Sequence, residues 1–253
     1  ISADHQNKPD NAVSITRQWF DEQGVDLLLD VPTSSVALAV QSVARDKNKV
    51  YINCSAGTTA LTGAQCSPNF VHWTFDTYML ARSTGGAMVK AGGDSWYFIT
   101  ADYAFGQQLQ KDTTALVLAA GGKVLGSTAY PFPETSDFSA PLLQAGASGA
   151  KVLGLCNAGA DTVNSIKQAH EFGVNKKMKI AALLMFITDV NALTLDVAQG
   201  LVLTESFYWD LNDRTRAFTK RVLPKTPNNY PNMNHAGAYS AMLHYMKTVK
   251  AMG

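Results

Sequence analysis

Short apolar runs recur along the chain, and most are followed by a stretch in which apolar positions return every three or four residues. The run Trp96-Tyr97-Phe98-Ile99 has no polar face, which suits a central parallel strand covered on both sides. It stops at Thr100-Ala101-Asp102, passes Tyr103 and Phe105, turns at Gly106 and continues as a helix over 107–120. Upstream, Asp10 reads as the N-cap of a helix with Ala12, Ile15 and Trp19 as its apolar stripe. Strands follow at 25–31 and 49–53, separated by a helix with Val36, Ala39, Val40 and Val43 facing inward. Residues 70–75 read as extended and 78–90 as helical. Downstream, strands at 123–129, 151–156, 179–184 and 201–205 are interleaved with two helices. These cover 138–147, capped by Asp137, and 161–172, and a last helix covers 236–252. Alternating strands and helices of ordinary length predict an α/β fold with parallel sheets. No fixed repeat period suggests a solenoid.

In an open parallel sheet, ligands bind outside the carboxyl ends of the strands. The loops predicted there share a composition: Thr33-Ser34-Ser35, the stretch 55–59 with Gly57, Thr58 and Thr59, and Asn157-Ala158-Gly159. Free backbone N–H groups and hydroxyls at helix starts can hold a carboxylate, although capping alone also explains Ser and Thr at such places. Tyr103 and Phe105 either form a binding surface on that edge or staple their loop onto the helix. Met185, Phe186 and Tyr208 follow the later strands. Polar clamps beside aromatic walls describe a small-molecule pocket.

Composition narrows the function. With 253 residues the chain can form one large α/β domain or two lobes. Its 21 Lys+Arg balance 20 Asp+Glu, so no charge footprint points to nucleic acid or an anionic membrane. The basic knot Lys176-Lys177-Met178-Lys179 reads as a helix end leading into a strand. No apolar stretch approaches a membrane span, so no direct membrane insertion is expected. Of three cysteines, Cys54 and Cys66 could pair in an oxidising compartment, whereas Cys156 ends an apolar strand and reads as a small buried residue. The opening Ile1-Ser2-Ala3 reads as the end of a strand whose beginning is missing, and the last helix lacks the strand an α/β unit would add. The chain therefore reads as a fragment lacking both ends, and the missing leader says nothing of compartment.

The sequence holds no GxxxxGK[ST] loop, no strand followed by GxGxxG, no HExxH, no CxxC and no GxSxG elbow. His5, His72, His170, His235 and His244 are scattered without metal-ligand spacing. Asp102 ends the central strand without an evident catalytic partner and reads as a hydrogen-bonding or hinge group. The sequon Asn53-Cys54-Ser55 straddles a strand end and is discounted. No catalytic residue, metal or cofactor is expected.

Several stretches together resemble the branched-chain-amino-acid type of extracytoplasmic solute-binding protein, the receptor subunit of ATP-driven importers. They are ISADHQNKPD, VDLLLDVPTSSVALAV, the run from YINCSAGTTALTG through CSPNFVHWTFDTYMLA, WYFITADYAFGQQL, DFSAPLLQAGASGAKVLGLCNAGADTVNSIKQAHEFG and NHAGAYSAMLHYMK. The likeness runs in order over essentially the whole chain. It implies two Rossmann-like lobes with parallel sheets, the type I periplasmic-binding-protein fold, with the ligand cleft between lobes. One lobe would comprise 1–75 and 207–253, the other 76–206. Family members carry further residues at both ends, including a strand and a cleft loop before this start.

Carried over by position, Thr33 to Ser35 and Gly57 to Thr59 would hold the ligand's polar head. Phe105, with Tyr103 beside it, would close from the second lobe, and Asn157 would line the cleft. Where amino-acid-binding members place an acidic residue for the ammonium, this chain has Met185-Phe186. A buried ammonium without a counter-charge is costly, while Met and Phe suit an aromatic ring. The chain is most similar to the branch associated with aromatic acids such as benzoates and cinnamates. The resemblance thus implies a periplasmic receptor for a small aromatic carboxylate, with a membrane permease as partner. Branched-chain amino acid or amide binding, for transport or as a cytoplasmic sensor, is the alternative. An enzyme using Asp102 and Tyr103 would need a second catalytic group, which the sequence does not supply.

Overall fold

The structure is a computed structural model that describes residues 1–226 and 229–253. Its elements run α1 (Pro9–Glu22), β1 (Leu27–Leu29), α2 (Ser34–Asp46), β2 (Val50–Asn53), β3 (Phe70–His72), α3 (Thr77–Leu80) and α4 (Gly86–Lys90). They continue with β4 (Ser95–Ala101), α5 (Ala104–Ala119), β5 (Lys123–Tyr130), α6 (Ser139–Ala147), β6 (Val152–Cys156), α7 (Ala160–Glu171) and β7 (Lys179–Ala182). Last come α8 (Ile187–Leu193), α9 (Leu195–Ala198), α10 (Asp213–Val222) and α11 (Met233–Met252). A π-helical turn, Ala81–Gly85, joins α3 to α4, so the helix expected over 78–90 is present but interrupted. The Ser83 hydroxyl donates to the Met79 carbonyl there, the back-bonding that loosens a helix. The chain divides into two compact units, Ile1–Asp76 with Met233–Gly253, and Thr77–Asn232. Residues 207–232, attached to the first lobe in the sequence reading, group here with the second unit.

The first unit has a parallel sheet in the order β1-β2-β3. Its strands obey the period of two. Leu28 and Tyr51 face α1 and α2, packing with Phe20, Val36 and Val40. Ile52, with Leu27 and Leu29 beside it, faces Ala241 of α11. Apolar side chains on both faces explain the unbroken LLL of β1.

The second unit has four parallel strands in the order β5-β4-β6-β7. Tyr97, Ile99, Leu153 and Leu155 pack under Leu142, Val163 and Ile166 of α6 and α7. Trp96 and Phe98 point the other way and stack at 5.7 Å. The central strand β4 is buried from Trp96 to Ala101, as its lack of a polar face predicts.

Several elements differ from the sequence reading. Lys8, not Asp10, is the N-cap of α1, because Pro9 takes the first helical position, where its fixed φ and missing N–H cost nothing. Residues 1–3 pair with no strand. The stretch 201–205 forms no strand either. Leu201 and Leu203 pack on the second core and the Thr204 hydroxyl bonds Ser83, so side chains anchor this segment without a backbone ladder. The three thiols are free: Cys54 and Cys156 are buried and Cys66 is exposed, so the 54–66 pairing that the sequence left open is not formed.

Gly106 is not a turn but lies in the first turn of α5. A Cβ there would sit 2.2 Å from the Ala101 carbonyl oxygen and 2.8 Å from that of Cys156. The glycine lets α5 rest directly on the ends of β4 and β6. Gly106→Ala is expected to lower stability by about 1–3 kcal/mol, read as a lower urea midpoint with an unchanged slope. Burial and the Asp30 carboxylate push the Cys54 thiol up to about 12, and burial pushes Cys156 up as well. A thiol reagent should therefore label Cys66 promptly in the native protein and the other two only after unfolding. Prompt native labelling of Cys54 would contradict this packing.

Candidate functional site

At the carboxyl edge of the first sheet, polar side chains tie two strand ends together. Asn53, fully buried, donates to the Val31 carbonyl at 2.9 Å and the Tyr51 hydroxyl at 2.7 Å. Its Oδ1 accepts from the N–H groups of Ser55 and Ala56, closing the loop after β2. Asp30, at φ +60°, accepts from the Cys54 N–H and the Ser55 hydroxyl. The buried Asn53 makes its sequon inaccessible. These ties bring two predicted clusters together: the Thr58 N–H donates to Ser34 Oγ at 3.2 Å. Thr33 is the N-cap of α2, but its hydroxyl is turned to Asn7, 2.6 Å away. The first-turn N–H groups of this 13-residue helix, at Ser34, Ser35 and Val36, have no intrahelical acceptor. Gly57 and Thr58 are buried, whereas Ser35 and Thr59 are half-buried.

In the second unit, β4 connects to β5 on one side of the sheet and β6 connects to β7 on the other. The carboxyl ends of β4 and β6 therefore flank a topological switch point, where α/β sheets hold ligands. Thr100 and Cys156 are register partners there, so the loops that follow lie side by side. Tyr103, N-cap of α5, stacks on Phe132 with ring centroids 4.3 Å apart and lies 6.0 Å from Phe105. Phe105 itself is buried, while Tyr103 is half-buried. The exposed Asp102 accepts from the Gln107 amide at 2.7 Å, as a helix-side bond.

Asn157 is 1 % exposed, and its amide is spent inside the unit. It accepts from the Thr162 hydroxyl and donates to Ser165 Oγ. It braces the start of α7, whose N-cap, Gly159, has a positive φ of 58° that only glycine adopts readily. Tyr130 and Asp161 escaped sequence reading because the contact is long-range. The Tyr130 hydroxyl, at the end of β5, donates to Asp161 Oδ2 at 2.7 Å. Burial raises the Asp161 pKa despite that bond, and burial with the Asp161 charge raises both Tyr103 and Tyr130.

Met185 is fully buried in the second core. Phe186, half-buried, is the N-cap of α8, and its N–H donates to Asp189 Oδ2 at 3.0 Å. The next N–H, of Ile187, donates to Glu205 Oε1 at 2.8 Å. Two carboxylates thus come to a place where the sequence showed only Met-Phe, both bonded to backbone. Tyr208 is exposed, with Trp209 as its ring neighbour at 5.7 Å. Among the described residues, no three His, Cys, Asp or Glu side chains group as a metal site, and no helix is long and apolar enough to cross a membrane.

A family model described as periplasmic binding protein matches residues 1–253. A periplasmic binding protein from Burkholderia mallei is 52 % identical and superposes with a TM-score of 0.96, over 98 % of this chain and 66 % of that one. A branched chain amino acid ABC transporter periplasmic ligand-binding protein from Burkholderia xenovorans LB400 is 39 % identical, TM-score 0.83, over 100 % of this chain and 67 % of that one. A solute binding protein of an ABC transporter from R. palustris, solved in complex with benzoate, is 22 % identical, TM-score 0.85, over 95 % and 66 %, and shares the fold. No curated protein sequence matches the chain. The chain thus spans about two thirds of the length of these solved relatives. Parallel sheets, switch-point loops and these likenesses converge: the chain belongs to the type I periplasmic binding protein family.

Proposed function

We propose that the protein is the solute-binding receptor of an ATP-binding-cassette importer, extracytoplasmic and without catalytic activity, and that its ligand is a small aromatic carboxylate. The observation that carries this reading is the aromatic wall at the switch point, where Tyr103 stacks on Phe132 beside Phe105. Flat rings offer the face and edge contacts that an aromatic ligand matches and an aliphatic one does not. From the first unit, the open N–H groups of α2 with Ser34, Ser35, Gly57, Thr58 and Thr59 suit a carboxylate, which the positive helix end favours. Phe186 is the apolar side chain proposed to add to this wall, next in the chain to the buried Met185, and Asn157 braces the start of α7. Tyr208, exposed, is the remaining ring proposed to reach the ligand. Ligand binding would favour one lobe arrangement, the form a membrane permease recognises.

The second reading is a branched-chain amino acid or amide. The B. xenovorans relative, 39 % identical and so named, favours it. Against it, the carboxylates of Asp189 and Glu205 already accept backbone N–H groups. An ammonium placed there would have to share them.

The full-length protein melted with benzoates, cinnamates, leucine and amides separates these readings. At a hundred times its Kd a ligand adds about 2.7 kcal/mol, or roughly 5–10 °C for a protein of this size. A rise with benzoates or cinnamates and none with leucine is expected. A rise with leucine or amides alone would overturn the aromatic reading and leave the receptor standing. Tyr103→Ala should weaken benzoate binding by about tenfold with little change in the unliganded midpoint.

A further inference from the structure

We propose that Asp161, held in place by Tyr130, is the group with which the second unit recognises a hydroxyl on the ring of its ligand. This rests on the aromatic-carboxylate reading above and adds which member of that class is preferred. Three strand ends and one helix start meet at this point. Tyr130 is the last residue of β5 and the register partner of Ala101, so it stands beside the end of β4. Its hydroxyl crosses to the first turn of α7 and donates to Asp161 Oδ2 at 2.7 Å. Asn157, after β6, braces the start of that same helix through Thr162 and Ser165. Tyr103, after β4, lies within the field of the Asp161 charge.

A helix cap does not account for Asp161. Gly159 occupies the N-cap, and no cap hydrogen bond forms with a side chain there. The dipole of α7 favours an acid in its first turn, but at the surface that needs no phenol donated from a neighbouring strand. Here the carboxylate is half-buried, and among the described residues no Lys, Arg or His pairs with it. Tyr130 is the one described donor to it, which leaves Oδ1 open. That oxygen is not among the buried atoms without a partner, so it stands where a ligand donor can reach it.

Donor counting selects the ligand group. An ammonium brings three N–H donors and a full charge, whereas a phenol brings one O–H. The acceptor offered here is Asp161 Oδ1, the one carboxylate oxygen that the Tyr130 hydroxyl does not engage. That inventory satisfies one donor well and three poorly. The stacked pair Tyr103 and Phe132 supplies a flat wall next to that acceptor, so a ring and its hydroxyl would be held by adjacent groups.

Calorimetric titration of the full-length protein with benzoate, 3-hydroxybenzoate, 4-hydroxybenzoate and leucine tests this, using wild type, Asp161→Asn and Tyr130→Phe. Wild type is expected to bind one hydroxybenzoate about ten- to a hundredfold more tightly than benzoate, as a donor to a charged acceptor requires. Asp161→Asn should cut that ratio by about tenfold while benzoate affinity stays within about threefold. Tyr130→Phe, which keeps the carboxylate but frees its orientation, should cut the ratio by about threefold. Melting each unliganded variant first separates loss of fold from loss of recognition. A hydroxybenzoate-to-benzoate ratio unmoved by either variant overturns this proposal and leaves the aromatic-acid reading intact. Equal weakening of all benzoates would also overturn it, since a purely structural role has that signature. Wild type that binds leucine and no benzoate overturns both readings.

Discussion

Parallel pairing of β4 with β6 is the constraint on which the second unit depends. Both strands are buried on both faces, so their backbone groups must be satisfied within the sheet and their side chains must be apolar. Polar chemistry is thereby pushed to the strand ends, and the switch in chain direction between these two strands parts the loops there. Gly106 brings α5 down onto both carbonyl ends, which sets where Tyr103 and Phe105 stand. The aromatic wall and the Tyr130–Asp161 pair are consequences of that arrangement.

The first unit reaches a similar end by different means. Its strands are three or four residues long, too short for ladders alone to hold the loops beyond them. Asn53 and Asp30 do that work with side-chain bonds, each accepting from the turn after β2. The ties are buried or half-buried, so water competes weakly and each donor left unmade would carry its full desolvation cost. The loop carrying Gly57 and Thr58 is thereby pinned against the start of α2.

Charge is used sparingly. The ion pairs, such as Lys151–Asp94 and Lys47–Asp21, lie at the exposed periphery, where they contribute little. Near the switch point and the start of α8, three carboxylates are held by hydrogen-bond donors: Asp161 by a phenol, Asp189 and Glu205 by backbone N–H groups. At Asp161 the phenol stabilises the anion without supplying a positive charge. Asp161 keeps acceptor capacity in its other oxygen, which suits a neutral hydroxyl better than a full cation.

The α/β class and the parallel sheets follow from local pattern alone, since burial on both faces demands unbroken apolar runs such as Trp96 to Ile99. The loops Thr33 to Ser35 and Asn157 to Gly159 were legible for the same reason: small polar residues sit where strands end and helices begin. Other features required the tertiary structure. Gly106 reads locally as a turn, and only the approach of two carbonyls from separate strands makes it a helical contact residue. The stretch 201–205 has a strand's composition, but side chains anchor it without a ladder. Tyr130 and Asp161 lie 31 positions apart, and no sequence spacing announces a bond formed when three strand ends and a helix start converge. Periodicity determines which face of an element is buried. Which polar groups meet beyond its ends depends on strand order, and strand order is decided by the packing of the whole unit.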